Sequence, residues 1–260
     1  MIDPIFLTNK IEKLVTKKQD NVEYRKYYRF RKDRWYGGVV TGDVIGCNLR
    51  CKFCWAWKFS WNPHAKGEYL NSHQVFSRLT SLARKYRIRQ LRLSGGEPTI
   101  GFNHLLELIN LATESGFHFI LETNGIILGT YKELAYRLGK YHGQGIEIRV
   151  SIKGTSPEEF TQLTGARQEY WYVQLRALRN LVEAGLEPGE EVYAAVMLSF
   201  NPDKGLTRIK RILSNIDKKL AETIDKEYII LYPHVIELLK RTRLKPKIAY
   251  KPNEIPDEMI

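Results

Sequence analysis

Apolar residues along the chain recur with two alternating periods. Short runs rich in Val, Ile, Leu and Phe are separated by longer stretches in which apolar positions return every three or four residues. From Gly38 onward the two kinds of segment take turns, the pattern of parallel strand–helix–strand units. The runs Gly38–Ile45, Gln90–Leu93, Phe117–Leu121, Ile146–Ile152, Val192–Leu198 and Tyr228–Leu231 predict six strands. Between and after them the pattern predicts helices over about Ser72–Tyr86, Asn103–Ser115, Tyr131–Leu138, Trp171–Ala184, Leu206–Ile216 and Val235–Arg241. Local signals agree. Asn103 is placed to cap one helix and Gly116 to stop it, while Gly185 stops another. Ser156-Pro157-Glu158-Glu159 combines a cap, a first-turn proline and first-turn acids, which predicts a helix start.

Six units are too few for a closed eight-stranded barrel. The expected fold is therefore α/β, a partial (β/α)6 TIM-type barrel with short N- and C-terminal extensions. Residues 1–36 are expected to form a basic extension, 37–243 the core domain, and 244–260 a polar, Pro-punctuated tail that wraps the surface or stays disordered. Within the first segment Ile5, Ile11, Leu14 and Val15 suit a helix only loosely. Chemistry in such barrels gathers at the C-terminal ends of the strands, so the residues just after each strand are the candidates.

Composition narrows the classes. With 43% hydrophobic and 12% aromatic residues the chain can bury a core, which excludes a disordered protein. No apolar run approaches the ~18 residues of a membrane span, and Met1–Lys10 lacks the features of a signal peptide. A cytoplasmic protein without membrane contact is expected. The three cysteines all fall between Cys47 and Cys54. A disulfide framework would leave one unpaired, and clustered thiols in a reducing compartment point to metal. The formal charge of +12 permits a polyanionic partner, RNA included, although it is spread along the chain as far as Lys240–Lys247.

Directly after the first strand, Cys47, Cys51 and Cys54 have C-x3-C-x2-C spacing. One short loop can so present three thiolates to three corners of an iron–sulfur cube, and no fourth cysteine exists for the last iron. Arg50 and Lys52 would offset the negative charge. The competing reading is a structural zinc site with His64 as fourth ligand, although zinc sites favour separated C-x2-C pairs. After the second strand comes Ser94-Gly95-Gly96-Glu97-Pro98-Thr99. Paired glycines allow close backbone approach, and a carboxylate beside them can hold an ammonium group; alone, the run also reads as a turn with an exposed Glu. Thr123-Asn124-Gly125 after the third strand reads alone as a turn. After the fourth, Ser151 and Lys153 point inward, and a buried lysine there needs an anionic partner. Met197 and Ser199 follow the fifth, Met197 reading as core.

Both motifs, in order and on successive strand ends, make residues 37–240 resemble the radical S-adenosylmethionine (radical SAM) superfamily. The resemblance rests on C-x3-C-x2-C with an aromatic, Phe53, before the last cysteine, and on Gly95-Gly96-Glu97-Pro98. It implies a [4Fe–4S] cluster on Cys47, Cys51 and Cys54 whose open iron is chelated by the methionyl amine and carboxylate of SAM. Gly96 and Glu97 would meet the amine, Thr123 and Asn124 the methionyl and ribose edge, and Ser151 and Lys153 the ribose or carboxylate. One electron, from a flavodoxin- or ferredoxin-like donor, would cleave SAM to a 5′-deoxyadenosyl radical that abstracts hydrogen from substrate. Lys153-Gly154-Thr155 through Gly165 is similar to glycyl-radical-enzyme activases of the pyruvate formate-lyase type, as is Tyr232-Pro233-His234 with its order changed. That likeness implies a protein substrate and a cofactor role for His234, although Ile152 stands where that group has Asp. Phe53-Cys54-Trp55 is instead similar to the cluster loop of tRNA wyosine-base synthases. The basic, aromatic-rich N-terminal segment could serve such an RNA substrate, so RNA modification is the alternative. A non-catalytic iron–sulfur or zinc module would have no use for Gly95–Pro98.

Overall fold

The computed structural model describes residues 1–260, the side chain of Glu258 apart. In chain order the strands are β1 (Thr16–Gln19), β2 (Val22–Asp33), β3 (Val39–Val44), β4 (Glu68–Asn71), β5 (Gln90–Gly95), β6 (His118–Thr123), β7 (Ile146–Ile152), β8 (Val192–Met197), β9 (Asp225–Glu227), β10 (Ile229–Ile230) and β11 (Ala249–Tyr250). The helices are α1 (Pro4–Val15), α2 (Trp57–Ser60), α3 (Ser72–Tyr86), α4 (Phe102–Glu114), α5 (Ile126–Thr130), α6 (Lys132–Gly139), α7 (Pro157–Thr164), α8 (Glu169–Glu183), α9 (Pro202–Ser214), α10 (Lys218–Glu222) and α11 (Pro233–Thr242). One sheet runs β1-β2-β3-β5-β6-β7-β8-β9, with β4 also paired to β2. From β3 to β9 every pairing is parallel, which is the partial six-unit barrel read from the sequence. No helix among the described residues is long and apolar enough to cross a membrane.

The two faces of the sheet differ. Leu91, Leu93, Phe119, Leu121, Ile148 and Val150 are 1% exposed or less and join the main core, against which α3, α4 and α8 pack. The alternate positions are polar. The register sets Thr41 beside Arg92, Asp43 beside Ser94 and Glu122 beside Arg149. Parallel strands are ordinarily apolar on both faces. A polar inner face makes this side of the curved sheet a cavity wall rather than a core.

Three regions depart from the sequence reading. The basic N-terminal segment is built into the sheet. Asp3 caps α1 by accepting from the Ile5 and Phe6 N–H groups at 3.0 Å. The β1–β2 hairpin turns at Asp20 and Asn21, both with positive φ, as a two-residue hairpin turn requires. Lys and Arg masked β2 because several of its cations point inward. Arg25, 1% exposed, donates to the Ile100 carbonyl at 2.8 Å.

The sixth barrel strand is β9, not the expected Tyr228–Leu231. Asp225–Glu227 pairs with Ala195–Met197, while Ile229–Ile230 turns aside and pairs with Ala249–Tyr250 of the tail. The barrel here needs polar residues facing inward, so its last strand lacks the apolar run that hydropathy detects. The tail wraps the surface: Arg34 donates to the Pro252 carbonyl at 2.8 Å and the Gly37 N–H to that of Ile260 at 3.0 Å. Asn103 does not cap its helix. Gly101 holds that position at φ +86°, and Asn103 accepts from Arg137 at 2.9 Å.

Candidate active site

The cysteine loop leaves β3 at Val44 and is closed by backbone bonds. Cys47 N–H donates to Ser60 (2.9 Å), Cys54 N–H to Cys51 (3.1 Å) and Lys52 N–H to Leu163 of α7 (2.8 Å). The second motif lies against it backbone to backbone. Gly96 N–H donates to the Val44 carbonyl and Glu97 N–H to that of Gly46, each at 2.8 Å. A Cβ on Gly96 would collide with the Gly46 carbonyl oxygen, so only glycine permits this approach.

The three thiols are free and sit in a dry setting, with Cys51 only 8% exposed. Burial pushes the Cys47 pKa up to about 12 and raises those of Cys51 and Cys54. Such sulfurs carry negative charge only when a cation takes the proton's place. Donors for anionic sulfur are already aimed. Cys47 Sγ accepts from Leu49 N–H at 3.4 Å and Asn124 Nδ2 at 3.7 Å, and Cys54 Sγ lies 3.4 Å from Ser60 Oγ. Three soft donors on one buried loop, with amide and hydroxyl donors behind them, suit an iron–sulfur cluster. His64, the ligand a zinc site would need, is exposed on the following loop, its N–H bonded to Asn62 Oδ1 at 3.1 Å.

Glu97 is held in place by the neighbouring strand ends. Its carboxylate, 1% exposed, accepts from Thr99 N–H (3.0 Å), Thr99 Oγ1 (2.6 Å), Thr123 Oγ1 (2.7 Å) and Asn124 N–H (2.8 Å). Oε1 takes three of these bonds and Oε2 one, so the carboxylate brackets two strand ends while Oε2 keeps acceptor capacity. The motif lines the cavity with the half-buried Gly95–Gly96 backbone and with Glu97; Pro98 is buried behind them. Thr123 and Asn124 belong to the same bracket. Asn124 Nδ2 also donates to Asn48 Oδ1 at 2.7 Å, and Asn48 donates to Thr8 of α1 at 2.9 Å, tying the first helix to the cysteine loop.

The two motifs open on one cavity of about 500 Å³ at the C-terminal ends of the parallel strands. Across from the thiols, Ser151 Oγ donates to Glu227 Oε1 at 2.6 Å and Lys153 Nζ lies 3.2 Å from Glu227 Oε2. Burial works against the Lys153 cation, but Glu227 and the Cys51 and Cys54 sulfurs raise its pKa and keep it charged. Phe53, 7% exposed, closes a wall with its ring 6.0 Å from Phe200. His234 Nε2 meets the Trp55 carbonyl at 2.7 Å. A carbonyl only accepts, so Nε2 carries a proton and donates it. Met197 lines the cavity, while Ser199 is buried outside it, accepting from Ile229 N–H at 2.8 Å.

The sequence reading missed the inner wall. Arg92 is fully engaged by Thr41 (3.0 Å), Glu122 (2.9 Å) and Asp33 (2.7 Å). Arg149 pairs with Asp225 at 2.7 Å, its guanidinium 4.5 Å from the Tyr36 ring centroid and 4.8 Å from that of Tyr193. Arg29 and Arg31 both reach Asp43, at 2.7 and 2.9 Å. Gln174 of α8 was missed too; it donates to the carbonyls of Asn124 (2.7 Å) and Ser151 (2.9 Å). The readable signal was charge at alternate positions of strands otherwise apolar. Helix position alone gave none for Gln174.

Comparisons agree with this geometry. The profile of the Radical SAM superfamily matches residues 44–210, well over half of the chain. Among curated relatives, a probable GTP 3′,8-cyclase of Saccharolobus islandicus is 29% identical over 171 residues, covering 60% of this chain and 50% of that protein. A putative glycyl-radical enzyme activating enzyme of Methanocaldococcus jannaschii is 34% identical over 125 residues, covering 48% of this chain and 43% of that protein. The chain thus spans about half the length of the curated relatives it matches. Among solved structures, Streptococcus suis SuiB bound to S-adenosylmethionine superposes with a TM-score of 0.51 at 15% identity, over 82% of this chain and 46% of that one. The chain belongs to the radical SAM superfamily, a family of enzymes that bind a [4Fe–4S] cluster and S-adenosylmethionine.

Proposed function

We propose that this chain holds the cluster on Cys47, Cys51 and Cys54 and uses SAM to take a hydrogen atom from a polar substrate bound against the charged inner wall. One observation carries the reading: three thiols, Cys51 buried and Cys47 and Cys54 half-buried, converge with the Gly95–Gly96 backbone on a single cavity whose far side is lined by paired charges. A cluster held by Cys47, Cys51 and Cys54 would supply one-electron reducing chemistry to SAM bound in the cavity. The chain's own residues orient and shield. Leu49 N–H and Asn124 Nδ2 stabilise negative charge on Cys47, and Ser60 does so on Cys54. Lys153 offers a cation to a carboxylate at the mouth of the thiol loop, held in place by Glu227. A low-dielectric cavity strengthens these contacts and limits quenching by water.

The test is anaerobic reconstitution. The wild-type chain should bind about four irons and, given reductant and SAM, release 5′-deoxyadenosine; Cys47→Ser, Cys51→Ser and Cys54→Ser should each lose both. One zinc per chain with no uptake of iron would overturn the reading. An electron donor of flavodoxin or ferredoxin type belongs to the proposal.

A second reading makes the substrate a partner protein that receives a glycyl radical. Its support is the likeness to the putative activating enzyme. Electron paramagnetic resonance of a co-expressed candidate partner decides it: a glycyl signal is expected here, and 5′-deoxyadenosine formation coupled only to a small molecule excludes it.

A further inference from the structure

A second hollow, about 580 Å³, lies beside the cysteine loop and shares no residue with the cavity that the thiols line. Ile2, Asp3, Phe6 and Leu7 of the N-terminal segment line it together with Arg50 and Arg167. Cys47, Cys51 and Cys54 thus face the inner cavity, while Arg50, between the first two of them, faces the outer hollow. The Arg50 guanidinium donates to the Leu49 carbonyl at 2.9 Å and to that of Cys47, so the floor of the hollow is the cysteine loop itself. Its rim is fastened there too: Ile2 N–H donates to the Gly165 carbonyl at 2.9 Å, and Asn48 of the loop donates to Thr8 of α1 at 2.9 Å.

The surface over that floor is apolar and positive. Phe6 is 60% exposed, and Lys10 Nζ lies 4.5 Å from its ring centroid. Lys10, Arg50 and Lys52 have no carboxylate partner among the described residues; the Lys52 ammonium meets the Gln162 carbonyl at 2.7 Å. Asp3, the acid of the hollow, is occupied by the Ile5 and Phe6 N–H groups, the Tyr170 hydroxyl (2.8 Å) and Arg167 (3.1 Å). Free cations around an exposed ring complement an acidic protein surface. Radical chemistry needs the inner cavity closed to water, which leaves the outer face of the loop as the side from which an electron can come.

Resting on the cluster assignment above, we propose that this outer face, Arg50 with Phe6 and Lys10 of α1, is the docking surface for the electron donor, a small carrier protein with an acidic surface. The carrier is oxidised by one electron and the cluster is reduced by one; no atom is transferred and no bond breaks. Helix α1 precedes residues 44–210, so most of this surface is an addition to the core shared across the superfamily.

The experiment gives the reconstituted full chain two reductants, dithionite and a purified, reduced flavodoxin. Phe6→Ser and Lys10→Glu alter exposed side chains outside the inner cavity. With dithionite, both variants should form 5′-deoxyadenosine from SAM at the wild-type rate. With flavodoxin at low salt, Lys10→Glu should be slower by about tenfold, the order that electrostatic steering supplies. Calorimetric titration of flavodoxin into the chain reads docking apart from turnover. Affinity should weaken in both variants and fall as salt rises to ~0.15 M, where charges are screened beyond ~8 Å. Absence of flavodoxin binding to the wild-type chain, or binding and flavodoxin-driven rates unchanged in both variants, overturns the inference and leaves the functional reading standing. A wild-type dimer in light scattering that Phe6→Ser dissolves does the same and gives the face to a second copy of this chain. A wild-type chain that takes up no iron and forms no 5′-deoxyadenosine even with dithionite removes the functional reading and this one with it.

Discussion

His104, 1% exposed, shows how a single buried side chain sets a pH dependence away from the site. Its Nδ1 faces the Glu23 carbonyl at 3.2 Å, so it carries the proton, and Nε2 accepts from the Tyr27 hydroxyl at 2.8 Å. Burial first, and Arg25 after it, push its pKa from 6.5 down to about 4, against the opposing pull of the Glu23 carbonyl. Below pH 6.5 the unfolded chain takes up a proton that the folded chain refuses. Stability from this group is therefore whole above 6.5 and is lost as pH falls toward 4, by up to roughly 3 kcal/mol. Urea unfolding of the iron-free protein across this range should show that slope, and His104→Gln should flatten it. Glu97 makes the same argument through hydrogen bonds. Glu97→Gln puts a donor among the four donors that the carboxylate now accepts, at roughly 1.5–3 kcal/mol for each charged bond lost. The iron-free variant should unfold at clearly lower urea. An unchanged midpoint would mean that Glu97 does not bracket the two strand ends.

At the scale of elements, β2 decides how the site is walled. It carries Arg29, Arg31 and Asp33 into the cavity and covers the edge of β3. Asp43, fully buried, pairs with Arg29 and Arg31, its only ion pairs among the described residues. Removing residues 1–34 would strand that carboxylate, strip Arg92 of Asp33 and bare the edge of β3. Each loss is severe: an unpaired buried charge costs about 3–5 kcal/mol, and an open apolar edge invites pairing with other chains. The truncated chain should aggregate or elute as large species in size-exclusion chromatography and take up no iron. A monodisperse truncation with native circular dichroism would show that the segment is dispensable. The tail element is the counterpart. It supplies β11 to β10 and sets Met259 at the cavity wall.

At the scale of the molecule, the excess of 41 basic over 29 acidic side chains is divided, in the N-terminal segment, between the fold's interior and its surface. Arg25 is buried, Tyr27 is 1% exposed, Tyr28 is stacked on Phe59, and Arg31 is paired with Asp33 and Asp43. Arg25 and the rings of Tyr27 and Tyr28 are committed inside the fold, whereas Lys17, Lys18, Lys32 and Arg34 stay exposed, charges that could meet phosphates without a base-reading platform. Transfer RNA should therefore be retained weakly at ~0.15 M salt, where free charges are screened beyond ~8 Å, and without sequence preference. Fluorescence anisotropy against salt measures this. Tight, sequence-selective binding would restore RNA as the substrate.

The sequence by itself determined the six-unit α/β plan and the order of motifs on it. Apolar periodicity marks elements whose outer faces must be buried, and Ile146–Ile152 and Ser72–Tyr86 emerge with the bounds their patterns predict. It also determined the cysteine loop, because three thiols so close in sequence meet whatever else the chain does. Tertiary structure alone decided the rest. Strand β9 was invisible because the cavity needs Asp225 and Glu227 where a core strand would be apolar. Strand β2 was masked because its arginines find carboxylates and carbonyls far along the chain, such as Ile100 and Asp43. Glu97 had the neighbours of a ligand site, and residues up to 27 positions away supply the donors that hold it there. Local pattern reports what a residue must do with water, whereas its partner across the fold decides what it does in the site.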